Sequence, residues 1–269
     1  MRWWLLLIFI FTVAQAGCFS NGQPANDGPG VVIPGNAATG STPPPREVYR
    51  LVPILMYHEI GDNPVSVYPE LYVSRDDFRW QMEYLKEHGY NPVSLEQVFR
   101  HWSENAPLPP KPVVITFDDG YESWFVKVFP IMRSLGFTGT LFLQVDRLNS
   151  KGGLTDQMVR EMIQAGFEIG SHTFSHPDLS HLSGEKLVRE VAGSKRALEE
   201  KFGVSVRFFA YPGGRFNHQV VQVVEEAGYA GAVTVRYGWG RYSDSYVLKR
   251  IRISRSDGRY GFMAKLQTG

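Results

Sequence analysis

Asp118 and Asp119 close an apolar run, Val113-Val114-Ile115-Thr116-Phe117, ahead of Gly120, and further along a second apolar run ends in Ser171-His172-Thr173-Phe174-Ser175-His176. Two strand ends would thus deliver two carboxylates and two imidazoles. One carboxylate with two neutral imidazoles is a common ligand set for a catalytic divalent metal, because it leaves a position open for water, and a spare carboxylate can then accept a proton. The chemistry to expect is metal-assisted hydrolysis. Adjacent residues on an extended strand point to opposite faces, so Asp118 and Asp119 are not expected to ligate one ion equivalently. Asp-Asp-Gly alone is a common turn, and His-x-x-x-His alone fits a helix face. Pro177, directly after His176, disfavours a continuing helix and favours a loop leaving a strand.

The elements that must position these residues alternate along the chain. Strand-like runs at Val52 to Tyr57, Val113 to Phe117, Thr140 to Val145, Phe167 to Ser171, Phe208 to Tyr211, Ala232 to Val235 and Leu248 to Ile253 are interleaved with helical spacing. The helices expected are Arg75 to His88, Leu95 to Trp102, Ser123 to Leu135, Thr155 to Ala165, Gly184 to Phe202 and His218 to Ala227. Strand, helix, strand repeated this often predicts a parallel α/β sheet, in which chemistry gathers at the carboxyl ends of the strands. The Asp pair, both histidines and the turn Tyr211-Pro212-Gly213-Gly214 all fall at such ends, and His58 ends the first strand. His58 is therefore expected in the same pocket, as a substrate contact or a group supporting the ligands. His88, His101, His181 and His218 lack metal-type spacing and are expected at the surface; Trp124 and Trp239 are candidates to stack on a ligand ring.

The chain has 269 residues, 43% hydrophobic and 20% charged, enough for one large core without a second domain. A formal charge of +1 and no basic stripe exclude an electrostatic case for nucleic acid. Arg2 followed by the apolar stretch Trp3 to Val13, and then Ala14-Gln15-Ala16, reads as an export signal over residues 1–17. Ala16-Gly17-Cys18 also resembles the end of a bacterial lipoprotein signal, which would attach a lipid to Cys18, the single cysteine. Residues 18–48, rich in Gly, Pro, Asn, Ser and Thr, read as a flexible tether, and 49–262 as the folded domain.

Thr116-Phe117-Asp118-Asp119-Gly120, Ser171-His172-Thr173-x-x-His176 and Phe209-Ala210-Tyr211-Pro212-x-Gly214 resemble, in order and spacing, the successive motifs of the polysaccharide deacetylases, the NodB-homology domain of carbohydrate esterase family four. The opening Pro53-Ile54-Leu55-Met56-Tyr57-His58 resembles the branch that includes exported deacetylases of poly-N-acetylglucosamine. The resemblance implies a distorted (β/α) barrel and a divalent metal, usually zinc, held by Asp119, His172 and His176, with Asp118 as general base. Backbone N–H groups of Tyr211, Pro212, Gly213 and Gly214 are the region implied for oxyanion or substrate binding, although proline supplies no N–H. The implied enzyme is a monomeric, exported hydrolase of carbon–nitrogen bonds other than peptide bonds, releasing acetate from N-acetylglucosamine units of an envelope or extracellular polysaccharide.

Two departures stand out. Ala210 occupies the place where many members carry an Arg that orients the catalytic Asp, and no histidine follows His218 to supply the leaving-group acid. Arg250 is the candidate to take over the orienting role. Without the acid, slow turnover is expected, with Asp118 or water protonating the amine. Alternatives in substrate are peptidoglycan, chitin oligomers or an O-acetylated polymer. Alternatives in class are a carbohydrate-binding relative without turnover and a non-haem iron oxygenase, whose ion also takes two His and one carboxylate.

Overall fold

The computed structural model describes residues 51–61 and 68–268; the expected signal, Cys18 and the whole tether lie outside them. In chain order the elements are β1 (Ile54–Tyr57), β2 (Glu59–Ile60), β3 (Tyr72–Val73), α1 (Arg75–Glu87), β4 (Asn91–Pro92), α2 (Leu95–Glu104), β5 (Pro112–Asp119), α3 (Phe129–Leu135) and β6 (Thr140–Leu143). There follow α4 (Asp156–Gln164), β7 (Glu168–Ser171), α5 (Gly184–Val188), α6 (Ser194–Phe202), β8 (Phe208–Ala210), α7 (His218–Glu226), β9 (Gly231–Tyr237), β10 (Leu248–Arg252) and α8 (Gly258–Thr268). Seven strands run β1-β10-β9-β8-β7-β6-β5, and β5 pairs back onto β1, closing a barrel in which every pair is parallel. The expected (β/α) barrel is therefore what the chain forms.

Closure explains the continuous apolar runs, since both faces of each strand are covered. All eight residues of β5 are buried. Alternate side chains divide into two clusters. Ile54, Val114, Phe142, Phe208, Val233 and Leu248 pack with Leu95, Val98 and Phe99 of α2, filling the barrel interior at its amino end. Leu55, Tyr57, Ile115, Phe117, Leu141, Ile169 and Phe209 face outward against Phe78 and Met82 of α1 and Leu198 of α6. By this alternation Thr116, Asp118 and Arg250 point inward, above the apolar plug.

Local rules set the helices. Ser74 caps α1 by accepting the Asp77 N–H, and Ser94 and Gln97 form a reciprocal capping box at α2. α3 ends on Gly136 in the left-handed conformation, φ 71°. The segment expected as one helix from Gly184 to Phe202 is continuous but carries a wide π turn, Arg189–Gly193, between α5 and α6.

Several elements were not legible. α8 was not anticipated, because Gly258 and Gly261 weaken its helical pattern; Phe262 and Leu266 nevertheless bury into the core, so the folded part runs past residue 262. Asp118 and Asp119 belong to β5 itself rather than to the turn after it. His101 is buried, 3% exposed, with Nδ1 against the Ala106 carbonyl at 2.7 Å, which corrects its expected surface position.

Candidate active site

The carboxyl ends of the strands open into a cleft of about 910 Å³, within the size range of ligand sites, lined by His58, Asp118, Asp119, His172, His176, Pro212 and Gly213 among others. They arrive from the ends of β1, β5, β7 and β8, because parallel strands finish on the same rim. Asp118 projects inside the barrel, 2% exposed, and both its oxygens receive the Arg250 guanidinium: Nη1 to Oδ1 at 2.7 Å and Nη2 to Oδ2 at 2.6 Å. Arg250 itself is fully buried and also donates to the Thr234 carbonyl and to Thr116 Oγ1. Burial opposes charge on Asp118, but the Arg250 charge and hydrogen bonds outweigh it and hold the carboxyl below its ordinary range. Arg250 thus stands where an orienting residue is needed.

Asp119, next in sequence, leaves the strand with φ 94°, a conformation uncommon outside glycine, and this turns its carboxylate toward the histidines. Its Oδ1 lies 3.4 Å from Nε2 of His172 and 3.4 Å from Nε2 of His176. Two ligands bound at about 2.1 Å in a tetrahedral arrangement stand about 3.4 Å apart, longer than an ordinary N–H···O bond. The spacing therefore fits a shared ion. All three ligand atoms lie within 4.8 Å of one another. Nδ1 of His172 meets the Ala210 carbonyl at 2.8 Å, which favours the Nδ1–H tautomer and frees the Nε2 lone pair. Burial pushes Asp119 up, but the neighbouring imidazoles of His172, His58 and His176 draw it well below the usual carboxylate range. The donor set, one ionised carboxylate and two imidazole Nε2 atoms, suits a divalent ion.

His58 lines the same cleft, 9% exposed, with Nδ1 lacking any hydrogen-bond partner; burial lowers its pKa. In the Tyr211 to Gly214 turn, the Tyr211 N–H goes to Val233 O at 3.2 Å and that of Gly214 to Tyr211 O at 2.9 Å. Pro212 and Gly213 line the cleft. Gly214 has φ +67°, and a Cβ there would come within 2.3 Å of Val235 Cγ2, so the tight turn requires glycine. Trp124 is fully buried with Nε1 donating to the His58 carbonyl at 2.6 Å, which removes it as a stacking platform; Trp239 does not line the cleft.

The cleft lining extends beyond the expected site residues, to Arg252, Tyr121 and Arg147 among others. Arg252 follows Arg250 by two positions, so the alternation that aims Arg250 inward puts Arg252 one layer higher, at the mouth. Tyr121 and Arg147, which also line the cleft, stack with the guanidinium carbon 4.0 Å from the ring centroid.

A closed parallel barrel with an Asp-His-His cluster and an ion-paired carboxylate at its carboxyl rim defines a hydrolase of the (β/α) type. The sequence model of the family described as "Polysaccharide deacetylase" matches residues 105–232, which include the Asp pair, both cluster histidines and the Tyr211 turn. The protein named "Putative polysaccharide deacetylase YxkH" of Bacillus subtilis (strain 168) is 31% identical over 204 residues, 76% of this chain and 71% of its own. The poly-beta-1,6-N-acetyl-D-glucosamine N-deacetylase of Staphylococcus aureus (strain MRSA252) is 25% identical, covering 68% of each chain. The Escherichia coli (strain K12) protein of the same name is also 25% identical over 72% of this chain, which spans only 35% of that longer relative. Among solved structures, the Streptococcus pyogenes deacetylase PplD in complex with acetate superposes with a TM-score of 0.76 at 29% identity, over 80% of this chain and 98% of that one. The chain belongs to the polysaccharide deacetylase family, hydrolases that remove acetyl groups. Family membership sets aside the iron-oxygenase alternative.

Proposed function

We propose that the protein is an exported, metal-dependent N-deacetylase of a polymer of N-acetylglucosamine. The observation that carries this reading is the juxtaposition in one cleft of the Asp119–His172–His176 cluster with Asp118, whose ionised form Arg250 secures. The relatives from S. aureus and E. coli, named as deacetylases of that polymer, support the substrate. Asp119, His172 and His176 would hold the ion, with zinc favoured by two imidazoles and one carboxylate; when bound, it supplies Lewis acidity toward the acetamide carbonyl.

The chain's own groups account for the proton movements. Asp118 accepts a proton from the water whose oxygen adds to the amide carbon. The Tyr211 to Gly214 turn, with Gly213 at the cleft, is the region that would meet the oxygen on which charge then develops. When the carbon–nitrogen bond breaks, acetate leaves and the amine needs a proton. Asp118 then holds the water's proton, and His58, the cleft imidazole outside the cluster and unpartnered at Nδ1, passes it to the amine. Export through the signal over residues 1–17, or lipidation at Cys18, and a tether over 18–48 complete the reading of a monomer acting on an envelope or extracellular polymer.

The test is acetate release by the zinc-loaded protein from poly-N-acetylglucosamine oligomers, beside chitin oligomers and peptidoglycan. Metal-dependent release from the first substrate, lost in Asp118→Asn and His172→Ala, is the expected result. Release from another polymer alone would move the substrate assignment, and zinc-independent release would overturn the metal reading.

A further inference from the structure

Of the two imidazoles in the cluster, His172 is fixed twice, by its place at the end of β7 and by the Ala210 carbonyl on Nδ1. His176 is held less firmly: its side chain is 39% exposed, and its Nε2 stands 3.4 Å from Asp119 Oδ1. Its position depends on the backbone of the connecting loop. That loop is unfavourable by itself, because Thr173 (φ 69°) and His176 (φ 61°) both occupy the left-handed region, which is costly for a β-branched residue such as Thr173.

One side chain outside the cleft grips the loop at its centre. Glu190, 6% exposed, projects from the π turn between α5 and α6. Its Oε2 accepts the Phe174 N–H at 2.9 Å and the Ser175 N–H at 2.8 Å, and its Oε1 accepts the Ser175 hydroxyl at 2.8 Å. Thr173 Oγ1 completes the clamp by accepting the His176 N–H at 2.9 Å. No cation pairs with Glu190 among the described residues, so its buried charge is balanced by the loop's own donors. Such a carboxylate is costly to bury unless those donors are held in place. The wide turn that presents it is also the sort of helix irregularity that accompanies functional sites.

We propose that Glu190 is a positioning residue for metal binding, holding the loop between the two histidines so that His176 Nε2 faces the ion. This rests on the metal reading of the site given above. Glu190 touches neither ion nor substrate; it acts through His176.

The test measures the zinc dissociation constant of the intact protein by competition with a chromophoric chelator, beside thermal melts of the metal-free protein. Glu190→Gln keeps the shape but turns an amide NH2 toward the loop donors, and the dissociation constant is expected to rise about 10- to 100-fold. Glu190→Asp, which keeps the charge and loses reach, should give an intermediate rise and decides the question if the Gln variant does not fold. In a His176→Ala background, Glu190→Gln should add no further loss of zinc affinity. An unchanged dissociation constant with a lowered melting temperature would overturn the proposal and leave Glu190 a purely structural clamp. An equal loss with and without His176 would overturn it too. A wild-type protein that binds no zinc would instead bring down the metal reading on which the proposal stands.

Discussion

At the scale of single residues, the site is a set of charges whose neighbours decide their protonation. Asp118 is depressed by Arg250, so it remains ionised, and contributes to stability, above the ordinary carboxylate pKa; that contribution is lost as pH falls through its lowered folded value. Removing the guanidinium by Arg250→Ala leaves a buried carboxylate without its partner. The expected cost is about 3 to 5 kcal/mol of stability, and the acid limb of the kcat/KM profile should move to higher pH as the Asp118 pKa rises. Thermal melts and a pH–rate series check both, and an unmoved acid limb would show that Asp118 is not the base. His58→Asn should lower kcat by about 10²- to 10⁴-fold with zinc affinity retained, because the variant loses a proton donor and no ligand. Acetate release and chelator competition on the same preparation separate the two effects.

At the scale of elements, the barrel rim depends on contacts at its opposite end. Glu168, at the start of β7, accepts the Leu95 and Glu96 N–H groups at the amino end of α2, each at 3.0 Å, and the Thr140 hydroxyl of β6 at 2.7 Å. It ties a plugging helix to two strands. Burial dominates its titration and pushes its carboxyl up to about 7 from 4.5. A raised acid binds its proton more tightly in the folded state, so the associated stability is complete below pH 4.5 and is lost as pH rises through 7. Glu168→Gln, permanently neutral, should abolish that loss, which amounts to about 3 kcal/mol for a shift of this size. Urea unfolding of both proteins at pH 5 and pH 8 measures it: the wild type should fall relative to the variant at the higher pH, and parallel behaviour would refute the assignment.

At the scale of the whole molecule, the proposed ion joins the ends of β5 and the loop after β7 but lies above a core that is closed without it. Stripping the metal should therefore abolish acetate release while leaving the far-ultraviolet circular dichroism unchanged, and the melting temperature should fall only by the binding term RT ln(1 + [L]/Kd). Collapse of the circular dichroism on chelation would instead make the ion structural. The apolar runs and their helical intervals made the parallel α/β barrel legible, and the three motifs put Asp118, Asp119, His172 and His176 on one list, because strand ends in such folds converge on one rim. Local pattern also made Arg250 the candidate for the place of the missing motif arginine. What only the tertiary structure decided was contact between residues distant in sequence. The Arg250–Asp118 pair joins residues 132 positions apart, Glu190 reaches the histidine loop from another element, and Trp124 turns inward against the His58 carbonyl. Residue type and spacing specify which chemistry is available and which face of a strand carries it; burial, which sets pKa values and chooses each polar group's partner, is fixed only when the barrel closes.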